Sequence, residues 1–300
     1  MRLRIWVFAL IPLLLVGAAS ADECNPNDPT LLKPDLIAMP PSRVRLVKQS
    51  RHRFLIFTTI IGNVGDGPLI LHGHTIDGPN GPVTQASQEI FRSDGTSCTR
   101  VAGDFIFHPT HHHFHFEDFS DYLLRKDDPL TGEIVARSSK VSFCLLDIMR
   151  LPGAQYRFAN PQFVNDCENA EGTQGISVGL ADVYDSLLPG QNIDLDADPE
   201  HPVPAGNYFL VIVTNPDGIL WENNDSPESG NAGFISVAVP APSSSLASSG
   251  GSTQHQPSGP HAPHTPVLPP RTRIPHTPHN PHGDPHMLPH RPHAPHVPGQ

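Results

Sequence analysis

Residues 22–240 predict a mainly β fold, an antiparallel sandwich with long loops. Three observations predict it: short runs rich in β-branched and aromatic residues, turn formers at the ends of those runs, and scarce helical periodicity. Arg53–Gly62 (RFLIFTTIIG) is the clearest strand and ends in the turn-forming cluster Asn63-Val64-Gly65-Asp66-Gly67-Pro68. Pro68–His72, Val141–Leu146, Gly175–Tyr184 and Asn207–Thr214 (NYFLVIVT) read as further strands, each bounded by Gly, Pro, Asn or Asp. At most one or two short helices are expected. A single β domain of this size is ordinary.

The rest of the chain cannot contribute to that core. Residues 241–300 hold 15 Pro and 10 His and no Tyr, Trp or Phe. Such a stretch buries too little apolar surface to offset its ordering entropy, so a disordered Pro/His-rich tail is expected. At the other end, residues 1–21 have the layout of a secretory signal peptide: Arg2 and Arg4, an apolar run Ile5–Val16, then Ala19-Ser20-Ala21. Twelve apolar residues are too few to span a bilayer, so no membrane association is expected. Export makes disulfides possible, and the mature chain holds Cys24, Cys98, Cys144 and Cys167, for which the spacing leaves three connectivities open.

The formal charge is −11 over the chain and −15 over residues 22–240. An acidic body repels phosphate backbones, which argues against a nucleic-acid partner, and it attracts cations and amines. Solubility of an exported protein accounts for the same charge.

One stretch carries most of the chemistry: Phe105-Ile-Phe-His108-Pro-Thr-His111-His112-His113-Phe114-His115-Phe116-Glu117-Asp118-Phe119. His111, His113 and His115 recur with period two. On a strand this puts three imidazoles on one face, within reach of one ion, while Phe114 and Phe116 face the other way. Three neutral nitrogens suit Cu(II), Zn(II) or Ni(II) and leave positions open for water or substrate. His108 lies outside that spacing and is a candidate partner behind the ligands. Glu117 and Asp118 are candidates to orient an imidazole or to act as a base, or else solvated loop charges.

Several separated segments together resemble the catalytic domain of the lysyl oxidase family. They are the run His108-Pro-Thr-His111-His112-His113-Phe114-His115 with Asp118-Phe119 and Tyr122-Leu123-Leu124 after it; Lys140-Val-Ser-Phe-Cys144-Leu-Leu-Asp147; Thr173–Tyr184; and Pro204–Pro216. The resemblance runs in order from about Pro34 to Val239. It implies copper held by His111, His113 and His115, and a cofactor, lysine tyrosylquinone, made by fusing Lys140 to Tyr184. The implied activity is oxidative deamination of a primary amine or a lysine-bearing protein, with dioxygen as oxidant and aldehyde, ammonia and hydrogen peroxide as products. It also implies a Cys144–Cys167 disulfide, which leaves Cys24 and Cys98 paired with each other or unpaired. The sequence departs from the family pattern at Thr110, where relatives have Cys, at Leu180-Ala181, where they have a Cys-Tyr pair, and in a longer stretch around Pro152–Glu171. A compact secreted form, as in microbial relatives, fits best.

Some members of the family hold calcium between an Asp-Leu pair at the domain start and an acidic loop near its end. Here Asp35, the Leu36 carbonyl, Glu222 and Asn224 offer oxygen ligands for calcium, or else form a solvated polar turn. The His-rich tail is either a metal-collecting segment or a spacer. A non-catalytic extracellular copper- or zinc-binding β-sandwich is the competing function. The pair Lys140 and Tyr184 discriminates, because metal holding does not require it.

Overall fold

The computed structural model describes residues 22–79, 81–109, 112–154, 162–223 and 230–241. The expected signal peptide and Pro/His-rich tail, together with His111 and Asn224, lie outside the described residues. Among these residues there are strands and no helix. In chain order they are β1 (Leu31–Leu32), β2 (Leu36–Ala38), β3 (Ser42–Gln49), β4 (His52–Asn63), β5 (Leu69–Gly78), β6 (Gly81–Arg92), β7 (Ser97–His108) and β8 (His113–Phe116). There follow β9 (Ser120–Arg125), β10 (Ile134–Arg137), β11 (Met149–Arg150), β12 (Thr173–Ile176), β13 (Leu180–Tyr184), β14 (Asn192–Asp194), β15 (Gly206–Thr214) and β16 (Ala232–Val239).

Three antiparallel sheets surround one core. The first runs β12-β5-β6-β7-β8, with β1 on β6; the second runs β10-β9-β15-β16; the third is built on β4, which pairs with β2, β3, β13 and β14. Phe57 and Ile61 of the third sheet, Leu69, Leu71 and Phe105 of the first, and Leu124, Leu210 and Ile212 of the second meet in a single buried cluster. The long β4 shows why. Its first half alternates, with Arg53, Leu55 and Phe57 inward, whereas from Phe57 to Asn63 nearly every residue is buried. A strand covered on both faces needs residues that tolerate burial throughout, and TTIIG supplies them, with the two threonine hydroxyls bonded to Ser186 and Gln191.

Two expected strands are corrected. Gly175–Tyr184 is not continuous: β12 pairs with β5 and β13 with β4, so the chain changes sheets between them. The corner is Ser177-Val178-Gly179, with Gly179 at φ 81, a conformation glycine adopts without steric cost. Asp147 fixes this corner by accepting from the Ser177 amide at 2.8 Å and its hydroxyl at 2.6 Å. Val141–Leu146 is an extended loop with one isolated bridge, Phe143 to Phe116. Its backbone bonds are shared out, since Phe143 pairs with Phe116, Val141 accepts from Phe119 and Leu145 accepts from Gly175. A segment that serves several strands in turn forms no ladder, although Phe143 and Leu145 are fully buried.

Candidate active site

The histidine cluster grows out of the β7–β8 hairpin. His108 stands opposite His113, and Ile106 opposite His115, so the register puts His108, His113 and His115 on one face. The intervening turn includes His112 at φ 57, whose amide donates to the His108 carbonyl at 2.8 Å. His113 Nε2 and His115 Nε2 are 2.8 Å apart. That is about the separation of two nitrogens bound side by side at about 2.0–2.1 Å to one ion. His115 is buried, and its Nδ1 lies 3.3 Å from the Ser142 hydroxyl; His108 Nε2 lies 3.1 Å from the same oxygen. For Nε2 of His115 to ligate, its Nδ1 must carry the proton and donate to Ser142, whose single hydrogen then points to His108. His108 also stacks on His115, with ring centroids 4.2 Å apart. The donor set therefore fits a transition metal, with two of the three expected ligands among the described residues. No three metal-binding side chains cluster among those residues, and His111 lies outside them. Glu117 and Asp118 occupy the turn after β8, with Asp118 at φ 52.

Ser142 links this cluster to a second group of residues. Lys140, two positions earlier, is half-buried after β10, and its Nζ lies 4.7 Å from the Phe143 ring centroid and 5.1 Å from that of Tyr184. Burial pulls the Lys140 amine down from its ordinary value to about 8, against the opposing pull of Asp182. The Tyr184 ring packs edge-on against Phe143, centroids 4.8 Å apart, and its hydroxyl donates to the Cys144 carbonyl. Burial, and then the charge of Asp182, push the Tyr184 phenol well above the usual range. The fold thus brings Lys140 and Tyr184 together.

Sequence reasoning missed Asp182. It is buried, and burial raises its carboxyl well above the ordinary value. Oδ1 accepts from the Val183 amide at 2.8 Å, whereas the buried Oδ2 has no hydrogen-bond partner among the described residues. Its signal was present: Asp182 and Tyr184 are two apart on a strand and share a face. Behind them the Gln191 amide bridges the hydroxyls of Thr59 and Tyr122, and burial drives the Tyr122 phenol far up.

The disulfides are Cys24–Cys98 and Cys144–Cys167. The second ties the two halves of the site, because the Cys167 carbonyl accepts from the Phe114 amide in β8 while the Cys144 carbonyl accepts from Tyr184. Of the expected calcium ligands, Leu36 donates its amide to Glu222 Oε2 at 2.8 Å, with Asp35 adjacent in sequence. Glu222 is buried, and its Oε1 accepts from Asn215 and Asn231 at 2.7 and 2.8 Å. The carboxylate thus ties the β2 backbone to Asn215 and to Asn231, the residue before β16.

The chain is similar in sequence to known proteins. The family described as Lysyl oxidase matches residues 88–229. Lysyl oxidase homolog 4 of Mus musculus is 34% identical over 123 residues, which is 41% of this chain and 14% of the relative. Lysyl oxidase homolog 1 of Homo sapiens is 36% identical over 119 residues, 39% of this chain and 18% of the relative. Lysyl oxidase homolog 2 of Gallus gallus is 34% identical over 123 residues, again 41% and 14%. The chain thus spans less than a fifth of these relatives' length. Over residues 88–229, just under half of its length, the chain is similar to the lysyl oxidase family.

Proposed function

We propose that residues 22–240 form one catalytic domain of an exported amine oxidase. It converts a primary amine, free or on a lysine side chain, with dioxygen and water, to an aldehyde, ammonia and hydrogen peroxide. Residues 1–21 direct export, to an extracellular or periplasmic location, where the two disulfides persist.

The observation that carries this reading is the Lys140 amine beside the Tyr184 ring, 5.1 Å from its centroid. Metal storage has no use for that pair. His113 and His115, with His111, hold copper, and Ser142 fixes the tautomer and tilt of His115. Copper bound there supplies the one-electron chemistry with dioxygen that a phenol alone lacks. The lysine tyrosylquinone made from Lys140 and Tyr184 supplies an electrophilic carbonyl to a primary amine. The chain's own part is to enlarge the neutral fraction of the lysine, because burial lowers its affinity for a proton. Phe143 walls the ring and limits access of water, and the Cys144 carbonyl fixes the phenol's orientation.

The test is peroxide and aldehyde release from the copper-loaded chain supplied with cadaverine or a lysine-rich protein. Turnover in the wild type and none in Tyr184→Phe or Lys140→Arg is expected. Tight copper binding with no peroxide from any amine would favour the metal-binding protein instead.

A further inference from the structure

Asp182 is the one group beside Lys140 and Tyr184 to which the function just proposed gives no task. Burying a carboxylate is costly unless its oxygens are bonded. Here one oxygen is satisfied by the Val183 amide, while Oδ2 is sealed from solvent and has no hydrogen-bond partner among the described residues. Such an atom marks either strain or chemistry. Its neighbourhood points to chemistry: Asp182 shares a strand face with Tyr184 and interacts electrostatically with Lys140, the residue whose nitrogen has to lose a proton.

We infer that Asp182 is the proton acceptor for the Lys140 amine when that nitrogen bonds to the ring of Tyr184. This inference rests on the amine-oxidase reading. In the step, the Tyr184 ring has first been oxygenated by one dioxygen to the ortho-quinone, with loss of water. The lone pair of neutral Lys140 forms the N–C bond to the ring. The N–H proton passes to Asp182 Oδ2, and the ring takes up the electron pair and becomes a catechol. A second dioxygen takes two electrons and two protons from that ring and leaves as hydrogen peroxide. The net change is one oxygen gained and four hydrogens lost. The groups that face Asp182 are Lys140 from the loop after β10, Tyr184 on its own strand, Tyr122 on β9, and the amides of Val183 and Leu146. None of the other side chains is a base at neutral pH except the reacting amine itself, which leaves the Asp182 carboxylate as the acceptor.

The experiment follows crosslink formation rather than turnover. The full chain is loaded with copper, its copper spectrum recorded, and the Lys140–Tyr184 peptide quantified by mass spectrometry over time in air across a pH series. In the wild type the rate climbs with pH and levels off above about 8, where Lys140 is neutral. In Asp182→Asn the rate is expected to fall about 10²-fold at neutral pH. It should also lose its plateau and rise steadily with pH, as hydroxide replaces the carboxylate. Asp182→Glu should keep the plateau, and it decides the matter if the Asn variant melts early. Wild-type kinetics in Asp182→Asn, or a loss by one constant factor at every pH in both variants, would overturn the assignment. A wild-type chain that binds copper yet never crosslinks overturns the amine-oxidase reading and this inference with it. Crosslinking that is normal in the Asn variant overturns only the role of Asp182.

Discussion

The Lys140 nitrogen sits over the Tyr184 ring at 5.1 Å from the centroid, held there from behind by Gly190. A Cβ on Gly190 would lie 3.0 Å from Lys140 Cδ and 3.2 Å from its Cβ, and Gly190 itself has φ 77. Gly190→Ala should cost about 1–2 kcal/mol from the left-handed backbone alone and push the lysine off the ring. Crosslinked fraction by mass spectrometry, read beside the melting temperature, is expected to fall far more than the loss of stability accounts for.

Ser142 bridges His108 and His115. Ser142→Ala leaves the ligands in place but frees the buried imidazole to rotate, so copper affinity should fall about 10–100-fold. Competition titration with a chelator measures it; an unchanged affinity would mean that the hairpin alone orients the rings.

The two disulfides should separate stability from assembly of the site. Replacing either pair by alanine is expected to cost about 2–4 kcal/mol. Cys24–Cys98 lies in a small satellite cluster with Leu31 and Ile90, so C24A/C98A should lower the melting temperature and leave crosslinking intact. Cys144–Cys167 joins the β8 backbone to the Tyr184 hydroxyl, so C144A/C167A should impair both.

Arg53 is 2% exposed and is held by Asp196 and by the carbonyls of Val203 and Pro240. Hydrogen bonding from Arg53 holds the Asp196 carboxyl below its ordinary 3.8. A group depressed on folding contributes fully above its unfolded value and loses that contribution as pH falls through the folded one. Wild-type stability should therefore decline below about pH 4. Asp196→Asn should cost about 3–5 kcal/mol at neutral pH by leaving the cation unpaired, with a flatter acid profile in urea titrations.

Much of this was legible in the sequence, and the limits have physical causes. β4 and β15 were readable because their burial on both faces demands apolar β-branched runs. The polar strands β6 and β7 were not: in GPVTQASQEIFR burial alternates, but the buried face is Thr84, Ala86, Gln88 and Ile90, so polarity does not follow it. The period of the histidine run puts His113 and His115 on one face, and it leaves His108 outside the triplet because His108 reaches that face only across a hairpin. Lys140 and Tyr184 became meaningful only through family resemblance, because a loop lysine and a strand tyrosine carry no local signal of contact. Asp182 was passed over because its significance lies in one unpartnered oxygen, which depends on packing from three segments.

The most direct test of the central claim is the intact mass of the copper-loaded, aerated chain, read together with phenylhydrazine labelling. A Lys140–Tyr184 crosslink, one oxygen heavier and four hydrogens lighter and stained by the reagent, is the expected result. A fully metallated chain whose Lys140 and Tyr184 peptides stay separate and unlabelled would contradict it.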